Sequence, residues 1–91
     1  MRTLEFDVKG IFEKHGTGRY ILVLKKYHGY NPYTLELTKT ADPLDWRVTR
    51  LMVGEFTSEF RNGDFVFRTV TQREVNIPYS YVHHARPLSN L

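Results

Sequence analysis

The residues with chemistry to offer in this chain are four histidines, a few carboxylates, and tyrosines interleaved with lysines and arginines. The histidines are His15, His28, His83 and His84. His83 and His84 are adjacent, and neighbouring side chains of an extended chain point to opposite faces, so the two do not chelate one ion together. There is no HExxH, no CxxC and no paired-carboxylate helix motif. Glu5 and Asp7 stand two apart on an expected strand and share a face that suits a cation. Carboxylates in such places are far more often plain solvent-facing residues. Gly16-Thr17-Gly18 lacks the lysine-serine or glycine spacing of a phosphate loop. The chain has no cysteine, which removes disulfides, thiolate metal sites and thiol nucleophiles. The expectation is a protein without catalytic activity, metal or cofactor, acting by binding.

The tyrosines and cations are more informative. Net charge is +3 over 91 residues, but it is unevenly spread. From Lys9 to Tyr30 the chain carries Lys9, Lys14, Arg19, Lys25 and Lys26 against Glu13 alone, a local balance of +4 that leaves −1 for the rest. Such a strip is either a footprint for phosphate or an acidic surface, or a solvated face.

These side chains need elements to position them. With 41% hydrophobic residues the chain should fold, and its length suits one small domain. No apolar run approaches a membrane span, and MRTLEFDVKG lacks a signal-peptide core, so a cytoplasmic protein is expected. Residues 3–13 alternate, with Leu4, Phe6, Val8 and Phe12 on one side, and predict a strand bent at Gly10. Residues 14–18 read as a turn. A second strand, 19–27, is apolar on both faces at its centre, as in a strand covered on each side or left open on one for a partner. After a turn at 28–32 comes a third strand at 33–40. Residues 64–70 and 73–82 predict two more strands, the last confined to an edge by Pro78. Residues 1–82 thus form the domain, and 83–91 a mobile tail. Free sheet edges leave room for a homodimer.

Between the third and fourth strands lies a segment with two readings. Asp42 as N-cap, Pro43 in the first turn, Asp45, and the spacing of Leu44, Val48, Leu51, Met52, Phe56 and Phe60 predict a helix over about 43–61, closed by Gly63. Trp46 then packs in its first turn. The other reading is a strand ending in an Asn62-Gly63 hairpin turn, which pairs Phe60 with Phe65 and Arg61 with Asp64. The caps and the continuous stripe favour the helix.

With that helix the order is β-β-β-α-β-β, a mainly β small barrel. The order, the length and the entry Gly63, Asp64, Phe65, Phe67 into the fourth strand resemble the OB-fold, a five-stranded Greek-key barrel, over residues 3–82. The resemblance implies binding of single-stranded nucleic acid across the second and third strands and the loops beside them. Lys14, Arg19, Lys25, Lys26, Arg68 and Arg73 would neutralise phosphates while Tyr27 and Tyr30 stack on bases. Tyr20 and Tyr33 fit the core as readily as a binding face, and Glu5, Asp7, Glu36 and Glu74 would repel phosphate. The alternative is a protein-interaction module, an adaptor, accessory or phage-type inhibitor protein, docking through Tyr79, Tyr81, Arg86 and the tail. If Asn62-Gly63 is a hairpin turn, that alternative leads.

Overall fold

The computed structural model describes residues 4–39 and 48–88, the first helix by backbone alone before Val8. The N-terminal segment is helix α1, Leu4–His15, where a strand was expected. Positions 4, 8 and 12 are shared by strand alternation and a helical stripe, and Ile11 is the apolar residue that only the helix explains. Val8 and Phe12 are buried, Ile11 partly so, and Lys9, Gly10, Glu13 and Lys14 are exposed. Gly10 therefore lies within a helix and makes no bend. Gly16 ends the helix in a left-handed conformation, φ 73°, its N–H donating to the Phe12 carbonyl at 2.8 Å. That is the role glycine plays at a helix C-terminus.

Seven strands follow among the described residues: β1 Gly18–Leu24, β2 Gly29–Asn31, β3 Glu36–Thr38, β4 Leu51–Arg61, β5 Asp64–Thr69, β6 Glu74–Ile77 and β7 Val82–Pro87. Five make one antiparallel sheet in the order β6-β5-β4-β1-β7, while β2 and β3 form a separate hairpin. That hairpin replaces the single strand expected at 33–40. Asn31 turns it, its side-chain oxygen accepting from the Tyr33 and Thr34 amides at 2.9 and 3.2 Å. A bridge between Tyr30 and Thr49 ties it to the approach to β4.

The helix expected over about 43–61 is corrected over its described part. Residues 51–61 are the longest strand, whereas Asp42, Pro43, Leu44, Asp45 and Trp46 lie outside the described residues. Asn62 and Gly63 both have positive φ, 53° and 84°, the geometry of a type I′ turn. The turn pairs Phe60 with Phe65 and Arg61 with Asp64. The helical spacing of Met52, Phe56 and Phe60 has a different cause. Met52, Gly54 and Phe56 alternate inward, with glycine in the middle slot because its α-carbon lies against the Arg68 carbonyl and the Phe67 ring. Between the Phe56–Phe67 and Phe60–Phe65 pairs, β4 carries three residues where β5 carries Val66 alone. The two extra residues form a bulge and preserve parity, so Phe56 and Phe60 stay on one face. Ser58, at its centre, has φ 66°.

The last strand was expected to end at residue 82, with a tail beyond. Instead residues 74–77 form edge strand β6, Pro78 follows it, and a 3-10 turn at Tyr79–Tyr81 leads into β7 on the opposite edge. Val82 and Ala85 are buried, so residues 83–87 belong to the sheet rather than to a tail. The connection also shapes the sheet. Five flat strands would separate their edges by roughly 19 Å at about 4.8 Å per strand. Residues 78–81, three of them in a tight turn, reach roughly 13 Å. The sheet must curl to let β7 dock beside β1.

It does not close, since β6 and β7 remain unpaired edges. The protein is a small, mainly β domain with one helix. The helix precedes the sheet instead of following a third strand, and the sheet is open, which departs from the order and closure expected of a β-β-β-α-β-β barrel. The core lies on the inner face, where Tyr20, Leu22, Leu24, Met52, Phe56, Phe65, Phe67, Val75, Ile77, Val82 and Ala85 meet Val8 and Phe12 of α1. Phe12 stacks on Phe56 with centroids 4.0 Å apart and meets Tyr20 and Phe65 edge-on at 4.9 Å.

Candidate functional site

The basic and aromatic residues singled out for nucleic acid are divided among several places. Lys25, Lys26 and Tyr27 lie together in the turn after β1, with the Lys26 ammonium 5.4 Å from the Tyr27 ring centroid. The turn is held by the His28 amide donating to the Lys25 carbonyl, and the Lys25 amide donating to Tyr81, each at 2.9 Å. Arg19 lies near the other end of β1, roughly 20 Å away at the rise of a strand. There it faces a cleft shared with Arg68. Arg68 also contacts Glu74 at 3.5 Å. Lys14 is exposed in the last turn of α1, and Arg73 is exposed in the turn before β6.

Tyr30 is no stacking platform. It is 5% exposed and belongs to the core, and burial raises its hydroxyl above the ordinary tyrosine value. Tyr20 is likewise a core residue, and its hydroxyl donates to the Gly16 carbonyl at 2.6 Å. The carboxylates Glu5 and Asp7 lie in a helix, where positions two apart share no face, so the premise of a strand-borne cation pair is gone. Among the described residues no three histidine, aspartate or glutamate side chains gather as metal ligands. No described helix is long and apolar enough to cross a membrane.

The alternative set is divided as well. Tyr81 stacks on His28 with centroids 4.0 Å apart, and Arg86 is exposed on β7. Tyr79 is different, because it joins a cleft of about 460 Å³ between α1, the far end of β4 and the 3-10 turn. Phe12 and Phe56 form its floor, and Phe60 and Tyr79 its walls. Lys9 and Glu13, one turn apart on α1, stand on the rim with Ser58. Phe60 leans edge-on against Phe56, centroids 6.1 Å apart, yet is 51% exposed. Tyr79 tilts against Phe65 at 5.1 Å. Burial, followed by the Glu13 carboxylate, raises its hydroxyl above the ordinary value.

Known proteins add nothing to this chain. No family model, no curated protein and no solved structure matches it.

The cleft depends on local features of the sequence. The β4 bulge brings Phe60 past Ser58 onto the inner face beyond the end of the core, and the type I′ turn stops the strand one residue later. A non-glycine residue in the left-handed region costs of order 1 kcal/mol or more, and such strain gathers at binding sites. Phe60, placed in a core stripe on the helix reading, is the residue that sequence reasoning misassigned. Its signal was Asn62-Gly63, since a residue two before a hairpin turn stands at the exposed end of a sheet.

A second group occupies the outer face. Along one row of paired positions stand Arg19, Glu55, Arg68 and Glu74, of alternating charge across β1, β4, β5 and β6. Beside it are the cross-strand pairs Ile21–Val53 and Val23–Leu51. Farther out, Arg61 binds Glu59 at 2.8 Å and Glu74 at 2.7 Å. Val66, on this same face by alternation, is 1% exposed.

Proposed function

We propose that this chain is a non-catalytic protein-interaction module that docks a partner protein through the aromatic cleft. Phe60 carries this reading. A phenylalanine half open to solvent, fixed against a buried aromatic stack at the edge of a cleft, has the character of an interface hot spot. The floor is a pair of buried, stacked rings, so a partner's apolar or aromatic side chain meets a surface already packed and little affinity is lost to ordering it. The Tyr79 hydroxyl, Lys9 and Glu13 then orient polar groups around that anchor. A small adaptor, accessory or inhibitor protein fits this description.

The single-stranded nucleic-acid reading drew on a barrel order and on one continuous basic and aromatic face. The order differs here, Tyr30 is buried, and Arg19 and Arg68 stand well away from Lys25, Lys26 and Tyr27. Protein docking is therefore the stronger reading.

Capture from nuclease-treated host extract tests it, with wild-type, Phe60→Ala and Tyr79→Ala chains as bait. A discrete partner should remain bound after nuclease, and either substitution should abolish its capture. Phe60→Ala should cost only about 1 kcal/mol of stability, mostly the lost edge-on ring contact. Capture that disappears with nuclease, or that neither substitution affects, refutes the proposal.

A further inference from the structure

β1 is apolar on both faces, and only one of those faces is used by the core. Tyr20, Leu22 and Leu24 point inward, whereas Ile21 and Val23 point outward and are half-buried. Their neighbours on β4, Val53 and Leu51, are 39% and 50% exposed. Val70 and Leu88 extend the patch and are also exposed. A socket of about 190 Å³, room for one side chain, is lined by Val53, Val70 and Leu88 together with the charged Arg19, Glu55 and Arg68.

The charges beside the patch are of two kinds. Arg68 and Arg61 are engaged by Glu74. Arg19 and Arg86 make no ion pair among the described residues, and both are exposed. Arg86 pairs directly with Ile21, and Arg19 lies two residues along the same strand. These two guanidinium groups are therefore diagonal neighbours beside an outward-facing apolar row.

We propose that this outer face is a second docking surface, which takes an acidic amphipathic segment of a partner protein: an apolar side chain enters the socket while flanking carboxylates meet Arg19 and Arg86. Guanidinium groups bind carboxylates by paired hydrogen bonds, and the apolar row beside them excludes water. A phosphate backbone suits the face less well, because the centre of the patch is aliphatic and offers no ring on which a base could stack. With the aromatic cleft on the inner side, the module would hold two partners on opposite faces.

Fluorescence anisotropy with the full chain tests this without an identified partner. The probes are a labelled amphipathic peptide with leucines along one face and glutamates beside them, the same peptide with lysine for glutamate, and oligothymidylate. The acidic peptide should bind most tightly, and more weakly as salt rises. Arg19→Glu with Arg86→Glu should cut its affinity about tenfold or more, as removing two complementary charges does. Leu51→Asp, at an exposed site, should do the same through the apolar row, with thermal midpoints checking that both variants stay folded. Equal binding of the acidic and basic peptides overturns the proposal. So do preferential binding of oligothymidylate, an unchanged affinity in the double variant, and no binding of the acidic peptide at low salt. Extract capture through the aromatic cleft is a separate readout, so either proposal can fail while the other stands.

Discussion

Gly54→Ala separates the strand from the helix by the sign of its effect. In a helix interior the substitution would stabilise by about 1 kcal/mol. In β4 the added methyl collides with the Arg68 carbonyl oxygen and lies 2.7 Å from Phe67 Cε2 and 3.0 Å from the Arg68 carbonyl carbon. Ordinary contact begins near 3.4 Å, so ring and strand must part by at least roughly 0.7 Å. A β-carbon has no rotamer in which to escape, and its obstacle is the backbone of the paired strand. Both Tyr20 and Thr69 are registered against Gly54, so the disturbance reaches the centre of the sheet. Overpacking of this kind costs about 2–3 kcal/mol, at the upper end of the usual range because backbone must move. For a domain of this size the melting temperature should fall by roughly 10–20 °C. Gly10→Ala is the internal control. Nothing lies within 4 Å of a methyl there, and within α1 the change should stabilise by roughly 0.5–1 kcal/mol. Calorimetry or thermal circular dichroism on the two variants reads both signs. A Gly54→Ala chain that melts at or above the wild-type temperature would refute the strand pairing.

Other substitutions address the site residues and the surface charges. Tyr30→Ala should cost about 3–5 kcal/mol in chemical denaturation, as truncating a buried aromatic does, while Tyr27→Ala, at a site 62% exposed, should change stability by no more than about 0.5 kcal/mol. Glu74 has its carboxyl held below the ordinary value of 4.5, first by the hydrogen bond and charge of Arg61 and then by Arg68. A lowered folded-state value means that its contribution is present above pH 4.5 and fades as acid protonates the folded carboxylate. Glu74→Gln should therefore lower the melting temperature at pH 7 and low salt, and the gap from wild type should narrow as the pH falls below 4.5. A gap that acid leaves unchanged would assign Glu74 a role in packing instead of charge.

Several elements were legible in the residues themselves. β1 covers residues 19–24 of the strand expected at 19–27 and starts one residue earlier, and β5 and β6 lie within those expected at 64–70 and 73–82. Pro78 marked an edge correctly, because it has no N–H for a ladder and β6 is an edge. Tyr20 was open to a core role and takes one. The two places where helix and strand were exchanged share a cause. Positions four apart fit a helix, and they equally fit a strand that alternates. Leu4, Val8 and Phe12 occur in a helix, whereas Met52, Phe56 and Phe60 occur in a strand. In the strand, Gly54 holds the intervening inward slot and a bulge supplies two extra residues. Ile11, in the helix, and Asn62-Gly63, in the strand, were the residues that broke each tie.

The candidate site was less legible than the elements. Composition directed the expectation of binding to tyrosine, lysine and arginine. Which of them stand together was decided by tertiary structure. The β4 bulge and the short turn at Tyr79–Tyr81 carry Phe60 and Tyr79 to one cleft beside α1, from positions nineteen apart in the chain. The curl of the sheet carries β7 to β1, which sets Arg86 beside Ile21 across sixty-five positions. Local preference acts over a few residues and leaves such distances undetermined. They follow from how a sheet with a buried inner face folds round a single helix.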